Sequence, residues 1–317
     1  MAKTLTIIDT FGFFFRSFYA LPQYLKTKDG FPTGLLTGFV NFISSLEKKH
    51  DSDYIIFAID TKGDTFRNEL DSNYKANREA PPEELQMQLP VAIDWINKMG
   101  YKTLGKEGFE ADDMIATAVK FAKKEGINVR VVSHDKDLYQ LIDDSKVVLV
   151  DAIKNSIIDE EFCKNKYGIE PRQFIDYQAL LGDSADNVPG VKGIGKVTAT
   201  KLLQAWDNLE NIYAHIDEIT PPGVRKKLID GKESAFLSKK LVTLRDDAFD
   251  SIDFDEYKMD VANPFLNIYD ELVKYEQNAI LRVLHAKNLV SKQQQSQTKE
   301  TQKKEQKKDN FELILSC

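Results

Sequence analysis

Three short β-branched runs, each stopped by an aspartate, constrain this chain more than any other feature. Leu5-Thr6-Ile7-Ile8 ends on Asp9, and Tyr54-Ile55-Ile56-Phe57-Ala58-Ile59 ends on Asp60. Val129-Arg130-Val131-Val132-Ser133 leads into Asp135 and Asp137. Near-continuous apolar runs of this length belong to strands covered on both faces, hence to a parallel sheet with helical crossovers. In open sheets of that kind the functional crevice lies beyond the carboxyl ends of the strands. The stopping aspartates are therefore delivered to one edge.

The rest of the first half fits that architecture. Strand patterns fall at 4–9, 54–60, 101–104, 128–133 and 146–150, and helical patterns at 33–50, 90–99 and 110–126. The expected fold class is α/β, a central and mostly parallel sheet flanked by helices. Residues 1–160 form its core, and a helical subdomain follows at 161–290, where strand signals fade.

More acids sit at punctuation points. Glu110, Asp112 and Asp113 open the 110–126 helix directly after a strand, while Asp183 and Asp186 flank a turn before Pro189-Gly190. On a helix Glu110 and Asp113 share a face, and Asp112 points about 100° away. Acids in a first helical turn are ordinary by themselves, each favoured by about 0.3–1 kcal/mol through the helix dipole. Here they arrive at the edge that Asp9 and Asp60 already occupy. Carboxylates so gathered would not all stay ionised unless divalent cations neutralised them. Asp9, Asp60, Glu110, Asp112, Asp113, Asp135, Asp137, Asp183 and Asp186 are the candidate metal ligands. An oxygen-only set suits magnesium.

Basic residues complete the picture locally, although the net charge of −7 is the wrong sign for a nucleic-acid binder. Neutralised carboxylates would remove that objection. The charged segment 62–90, interrupted by Pro81-Pro82 and Pro90, interleaves Arg67, Tyr74, Lys75 and Arg78. A solvated helix face is the common meaning of such a pattern. Beside a pool of carboxylates, however, these cations are placed to bind a phosphate, and Arg16 belongs with them. Gly193 and Gly195 precede a helix from Val197 to Trp206 and are flanked by Lys192, Lys196 and Lys201. Glycines admit a phosphate to the backbone, and a helix N-terminus supplies N–H donors. The preceding segment is not a strand, which excludes the dinucleotide fingerprint.

Taken together, these motifs resemble the flap endonuclease/5′–3′ exonuclease family, and within it the N-terminal nuclease domain of bacterial DNA polymerase I. The resemblance spans about residues 3–290 and rests on several ordered stretches. They include Ile8-Asp9 with Arg16, Phe57-Ala58-Ile59-Asp60, Thr65-Phe66-Arg67-Asn68-Glu69-Leu70 and Tyr74-Lys75-Ala76-Asn77-Arg78. Glu110-Ala111-Asp112-Asp113, Asp135-Lys136-Asp137-Leu138 and Gly182–Thr198 continue it. The resemblance implies a PIN/FEN-like fold with a helical arch at 62–90 and a helix–three-turn–helix at about 178–206. It also implies metal ligation by the nine acids, catalytic roles for Lys75, Arg78 and Arg16, and DNA contacts from Tyr74, Lys192, Gly193, Gly195, Lys196 and Thr198. A potassium site at the helix–three-turn–helix is implied as well. Ser133-His134 stands where the polymerase domains tend to have Thr-Gly, a departure that removes no carboxylate.

The expected function is structure-specific 5′–3′ exonuclease and 5′-flap endonuclease action on DNA in primer removal and repair. Expected partners are DNA with 5′ flaps, nicks or 5′ ends and a covalently linked polymerase domain, with the nuclease a monomer. Residues 291–310 are Gln/Lys-rich and read as a disordered linker, and 311–317 as the opening strand of a following domain. No apolar stretch reaches the roughly 20 residues of a membrane span, and Cys163 and Cys317 do not make a disulfide framework. A cytoplasmic, bacterial, nucleoid-associated location is expected. Two rivals remain open: a DNA-junction-binding module without turnover, and a related ribonuclease.

Overall fold

The computed structural model describes residues 2–290 apart from 50, 51, 152, 153, 155, 260, 261 and 288. The three aspartate-stopped runs are the three central strands. β1 (Thr4–Asp9) lies between β2 (Tyr54–Ala58) and β4 (Asn128–Val132), with β3 (Lys102–Leu104) outside β2. Beyond β4 come β5 (Val147–Asp151) and β6 (Ser156–Ile158), giving the order β3-β2-β1-β4-β5-β6. Strands β1 to β5 run parallel and β6 pairs antiparallel with β5. The chain winds outward from β1 to β3, then restarts on the other side of β1. That reversal makes a switch point between β1 and β4, the place where open sheets bind ligands. Asp9 ends one of those strands and Asp135 follows the other.

Helices α1 (Thr10–Ala20), α2 (Gly34–Lys49), α3 (Phe66–Leu70), α4 (Glu83–Lys98) and α5 (Ala111–Lys124) fill the crossovers. Period-two alternation divides the strands between two cores. Leu5, Ile7, Ile56, Ala58, Val129 and Val131 pack with α5, whereas Ile8, Ile55, Phe57 and Val132 face α1, α2 and α4. Continuing the alternation carries Asp9 and Asp60 to the α5 side, where Glu110 and Asp112 begin that helix.

Two elements differ from the sequence pattern. Helix α4 starts at Glu83, not at 90, and holds Pro90 in its interior. Proline there removes one helical bond and costs about 3 kcal/mol. Burial of Leu85, Gln88, Ala92, Trp95 and Ile96 along one face offsets that cost. Trp95 is fully buried, with its ring 5.8 Å from that of Tyr275. Trp95→Ala is expected to destabilise by about 3–5 kcal/mol, read as a lower urea midpoint at unchanged slope. A loss below about 1 kcal/mol would contradict this packing. Strand β6 was not anticipated, because three residues carry too little pattern to register.

Helices α6 (Glu160–Tyr167), α7 (Phe174–Leu181), α8 (Lys196–Trp206), α9 (Leu209–Ala214), α10 (Pro222–Asp230) and α11 (Lys232–Val242) extend the α5-side core. The last three, α12 (Pro264–Asn267), α13 (Tyr269–Lys274) and α14 (Asn278–Ala286), do not continue that layer. Phe265, Tyr269, Leu272, Ile280 and Leu284 pack into the opposite core with Leu36 and Trp95. The expected linker at 291–310 and strand start at 311–317 lie outside the described residues. Among the described residues no helix is long and apolar enough to cross a membrane.

Candidate active site

The amino end of α5 is fixed before anything else in the site. Asp113 Oδ2 accepts the N–H of Glu110 at 3.1 Å, closing the first turn. Arg67 donates Nη1 to Asp113 Oδ2 at 2.7 Å and Nη2 to Oδ1 at 2.9 Å, and the N–H of Arg245 reaches Oδ1 at 2.9 Å. Asp113 is wholly buried, and both of its oxygens are taken. Asp113, one of the nine expected ligands, is thus engaged on both oxygens within the protein. The same three-residue spacing that suggested a shared face with Glu110 serves to cap the helix.

Asp112, one position earlier, is half-buried and turned toward the other acids. Burial first, then the charges of Asp135, Asp9 and Asp137, raise its pKa well above the usual carboxylate range. Asp9 accepts from Gly12 N–H at 3.0 Å and from Ser133 Oγ at 2.8 Å. Burial still lifts its pKa to about 6, with Asp135 and Asp60 adding to the effect. A side chain at position 12 would place Cβ 2.1 Å from Asp9 Oδ2, which explains the glycine there. Asp60 Oδ1 accepts the N–H of Ala111 at 2.8 Å, tying β2 to α5. Asp137 is pushed up to about 7 by burial and then by Asp135, and it accepts a bond from the Gln178 amide. These five carboxylates form one mutually repelling group beside the switch point.

Asp135 and Asp137 meet through a tight turn. Asp135 caps a 3₁₀ turn, Lys136–Leu141, and its Oδ1 accepts Asp137 N–H at 2.9 Å. Lys136 points away and forms an ion pair with Asp183. His134 is exposed.

The segment expected as an arch is zipped onto the acidic turn. Lys75 adopts the left-handed conformation, φ 55°, costing a non-glycine residue about 1–2 kcal/mol. Its N–H donates to Asp186 O at 3.0 Å, and Nζ lies 2.8 Å from Glu110 Oε1. Arg78 Nη2 lies 2.6 Å from Asp186 Oδ1. Asn77 Nδ2 donates to Ser184 O and Asn187 Nδ2 to Asn73 O, both at 2.8 Å. Tyr74 is only 5 % exposed and its hydroxyl donates to Glu110 Oε2 at 3.2 Å. It holds a carboxylate instead of presenting the DNA-contacting face expected of it.

Arg16 pairs with Asp151 at 2.8 Å, a buried carboxylate ending β5. Asp151 was missed although the signal was present: Val147-Val148-Leu149-Val150 is a fourth β-branched run stopped by aspartate.

Gly182 and Gly190 bring the acidic turn into place. Both have positive φ, 72° and 61°, and their backbones cross where a Cβ on Gly190 would lie 2.3 Å from Gly182 N. Ser238 and Ser234 of α11 hold Gly190 through its N–H and carbonyl at 2.9 and 2.6 Å. Lys192, Gly193, Gly195 and Lys196 are exposed before and at the start of α8, Thr198 is half-buried, and Val197 is 70 % exposed. Gly195 caps α8 with no side chain, so that helix start is open to an incoming acceptor. Lys239 of α11 is committed to Asp176 and Glu210 at 2.7 and 2.6 Å.

Among the described residues no three His, Cys, Asp or Glu side chains already close into a metal cage. The donor chemistry nonetheless fits a hard divalent ion. The set is all oxygen, burial and repulsion disfavour its charge, and such ions keep several waters and need few direct protein ligands.

Residues 4–168 match the family model for the 5'-3' exonuclease N-terminal resolvase-like domain, and residues 169–264 that for the 5'-3' exonuclease C-terminal SAM fold. The chain belongs to the 5'-3' exonuclease family. Its enzyme class is accordingly that of a nuclease, a phosphodiester hydrolase. A 5'-3' exonuclease of Aquifex aeolicus is 36% identical over 282 residues, covering 88% of this chain and 94% of that one. DNA polymerase I of Helicobacter pylori is 42% identical over 287 residues, covering 89% of this chain but 32% of the polymerase. The chain thus spans about a third of the length of the DNA polymerase I relatives it matches. Among solved structures, a complex of the bacteriophage T5 flap endonuclease with DNA and metal ions aligns with TM-score 0.66 at 25% identity. That alignment covers 86% of this chain and 100% of the phage chain.

Proposed function

We propose that this 5'-3' exonuclease cuts DNA at 5′ ends and 5′ flaps, choosing its substrate by shape, with divalent cations held by the carboxylate group at the switch point. The observation that carries the proposal is the gathering of Asp9, Asp60, Asp112, Asp135 and Asp137 into one mutually repelling group, which Lys75 and Lys136 offset only in part. Those five, with Glu110, Asp183 and Asp186, would hold two magnesium ions, with manganese as a substitute. Such ions supply an activated water and charge neutralisation at a phosphoryl group.

The chain's own residues do the rest. Lys75 and Arg78 neutralise Glu110 and Asp186 in the free protein and exchange those partners for phosphate oxygens when DNA arrives. Arg16, steadied by Asp151, offers its remaining donors to the phosphate. The open start of α8 and its exposed lysines grip the duplex through the phosphate backbone, without reading bases. A potassium ion at that turn and a polymerase domain on the same polypeptide belong to the proposal, as do a monomeric nuclease and a cytoplasmic site of action.

Two measurements test this. DNA flaps are expected to be cut within a few nucleotides of the junction and RNA flaps more slowly; the reverse preference would favour the ribonuclease. In a thermal melt, magnesium at 100 times its dissociation constant is expected to add about 2.7 kcal/mol of stability, and excess EDTA to remove it. An unchanged melting temperature would contradict the metal site.

A further inference from the structure

Arg67 is 1 % exposed, and all three guanidinium nitrogens are engaged. Besides the fork to Asp113, Nη1 lies 3.3 Å from Glu110 Oε2, Nε donates to Leu241 O at 2.8 Å, and Nη2 reaches Thr243 O at 3.4 Å. Asp113 adds the N–H of Arg245. The segment 241–245, the last two residues of α11 and the three that follow it, is thus gripped from the α5 side. Gln140 grips it from the other side. Its Nε2 donates to Val242 O at 3.0 Å and to Asp137 O at 2.7 Å, and its Oε1 accepts Leu244 N–H at 3.2 Å. Gln140 lies in the 3₁₀ turn that carries Asp137 and is capped by Asp135. The acids of α5 and those of the 136–141 turn are therefore both referenced to one segment about a hundred residues downstream.

We infer that Arg67 and Asp113 are positioning residues, which set Glu110 against the Asp135–Asp137 turn through residues 241–245 and touch neither cation nor substrate. This rests on the carboxylate-held metal reading above. A wholly buried fork with every acceptor filled is costly to break and presents nothing to a ligand. Its use lies in registering groups that do touch one.

The test uses the full chain and three variants: Arg67→Lys, Asp113→Asn and Gln140→Leu. Removing a partner that orients a ligand typically costs about 10–100-fold in activity. Arg67→Lys is expected to lower kcat on a DNA flap by that factor with KM within about threefold. Mn2+ stoichiometry, read by electron paramagnetic resonance without DNA, is expected to stay at the wild-type value in Arg67→Lys and Asp113→Asn. Loss of one manganese equivalent in Asp113→Asn would make Asp113 a ligand and overturn the inference. Wild-type kcat in a folded Arg67→Lys would reduce the pair to packing and also overturn it. Should either variant fail to fold, Gln140→Leu tests the same turn without altering any acid. Its kcat is expected to fall about tenfold, and wild-type kcat there would refute the shared reference. Failure of the wild-type protein to cut flaps in any metal would instead refute the functional reading, leaving the manganese stoichiometry to judge Asp113.

Discussion

Asp112→Ala is expected to lower turnover on a DNA flap by at least about a thousandfold, equivalent to ~4 kcal/mol of transition-state stabilisation, without harming the fold. The two halves of that expectation share one cause. Asp112 sits among Asp135, Asp9 and Asp137, all of which disfavour its charge, and burial adds to the penalty. In the cation-free protein its removal relieves repulsion, so the melting temperature is expected to hold or rise. On the proposed reading the same side chain supplies an anionic oxygen donor to a cation, and Asp113 could not replace it, being committed to Arg67. Turnover and a thermal melt on the same preparation check both halves. Activity within tenfold of wild type would remove Asp112 from the site, and a large fall in melting temperature would mean that its role is structural.

Gly190→Val is expected to destabilise the protein by about 3 kcal/mol or more, summing a left-handed backbone no β-branched residue tolerates with the overpacking of a filled site. The atoms a Cβ would meet are backbone: Gly182 N at 2.3 Å, Leu181 C at 2.5 Å and Gly182 Cα at 2.7 Å. None can swing aside. Ser238 and Ser234 anchor the other side of Gly190, so the turn bearing Asp183 and Asp186 would be displaced as well. Gly195→Ala is the matched control, because nothing lies within 4 Å of a Cβ there and its φ is −103°. Urea unfolding of the two variants decides the matter. Equal stabilities would show that the glycine crossing is not what holds the turn.

What the sequence disclosed, it disclosed through local pattern. Strands β1, β2 and β4 are central, covered on both faces and closed by aspartates, so their runs were unbroken and their order of chemistry visible. Strand β6 and the start of α4 were hidden for the opposite reason. The first has three residues, and the second carries a proline whose penalty is offset by burial of Trp95 and Leu85, which only the folded chain displays. The candidate site divides the same way. Asp9, Asp60, Asp112, Asp135 and Asp137 fall where strands or helices begin and end, and the structure brings them together. The true partners of Asp113, Tyr74 and Arg16 could not be seen, because Arg67, Glu110 and Asp151 lie 46, 36 and 135 residues away. A helix-start aspartate reads identically whether it faces a cation or a buried guanidinium.

The most direct measurement is cleavage of a 5′-labelled DNA flap by the full chain in magnesium, with and without EDTA. Products at or near the junction that vanish with EDTA are the predicted result. Tight binding of the flap with no products in magnesium or manganese would contradict the account and leave a junction-binding protein in its place.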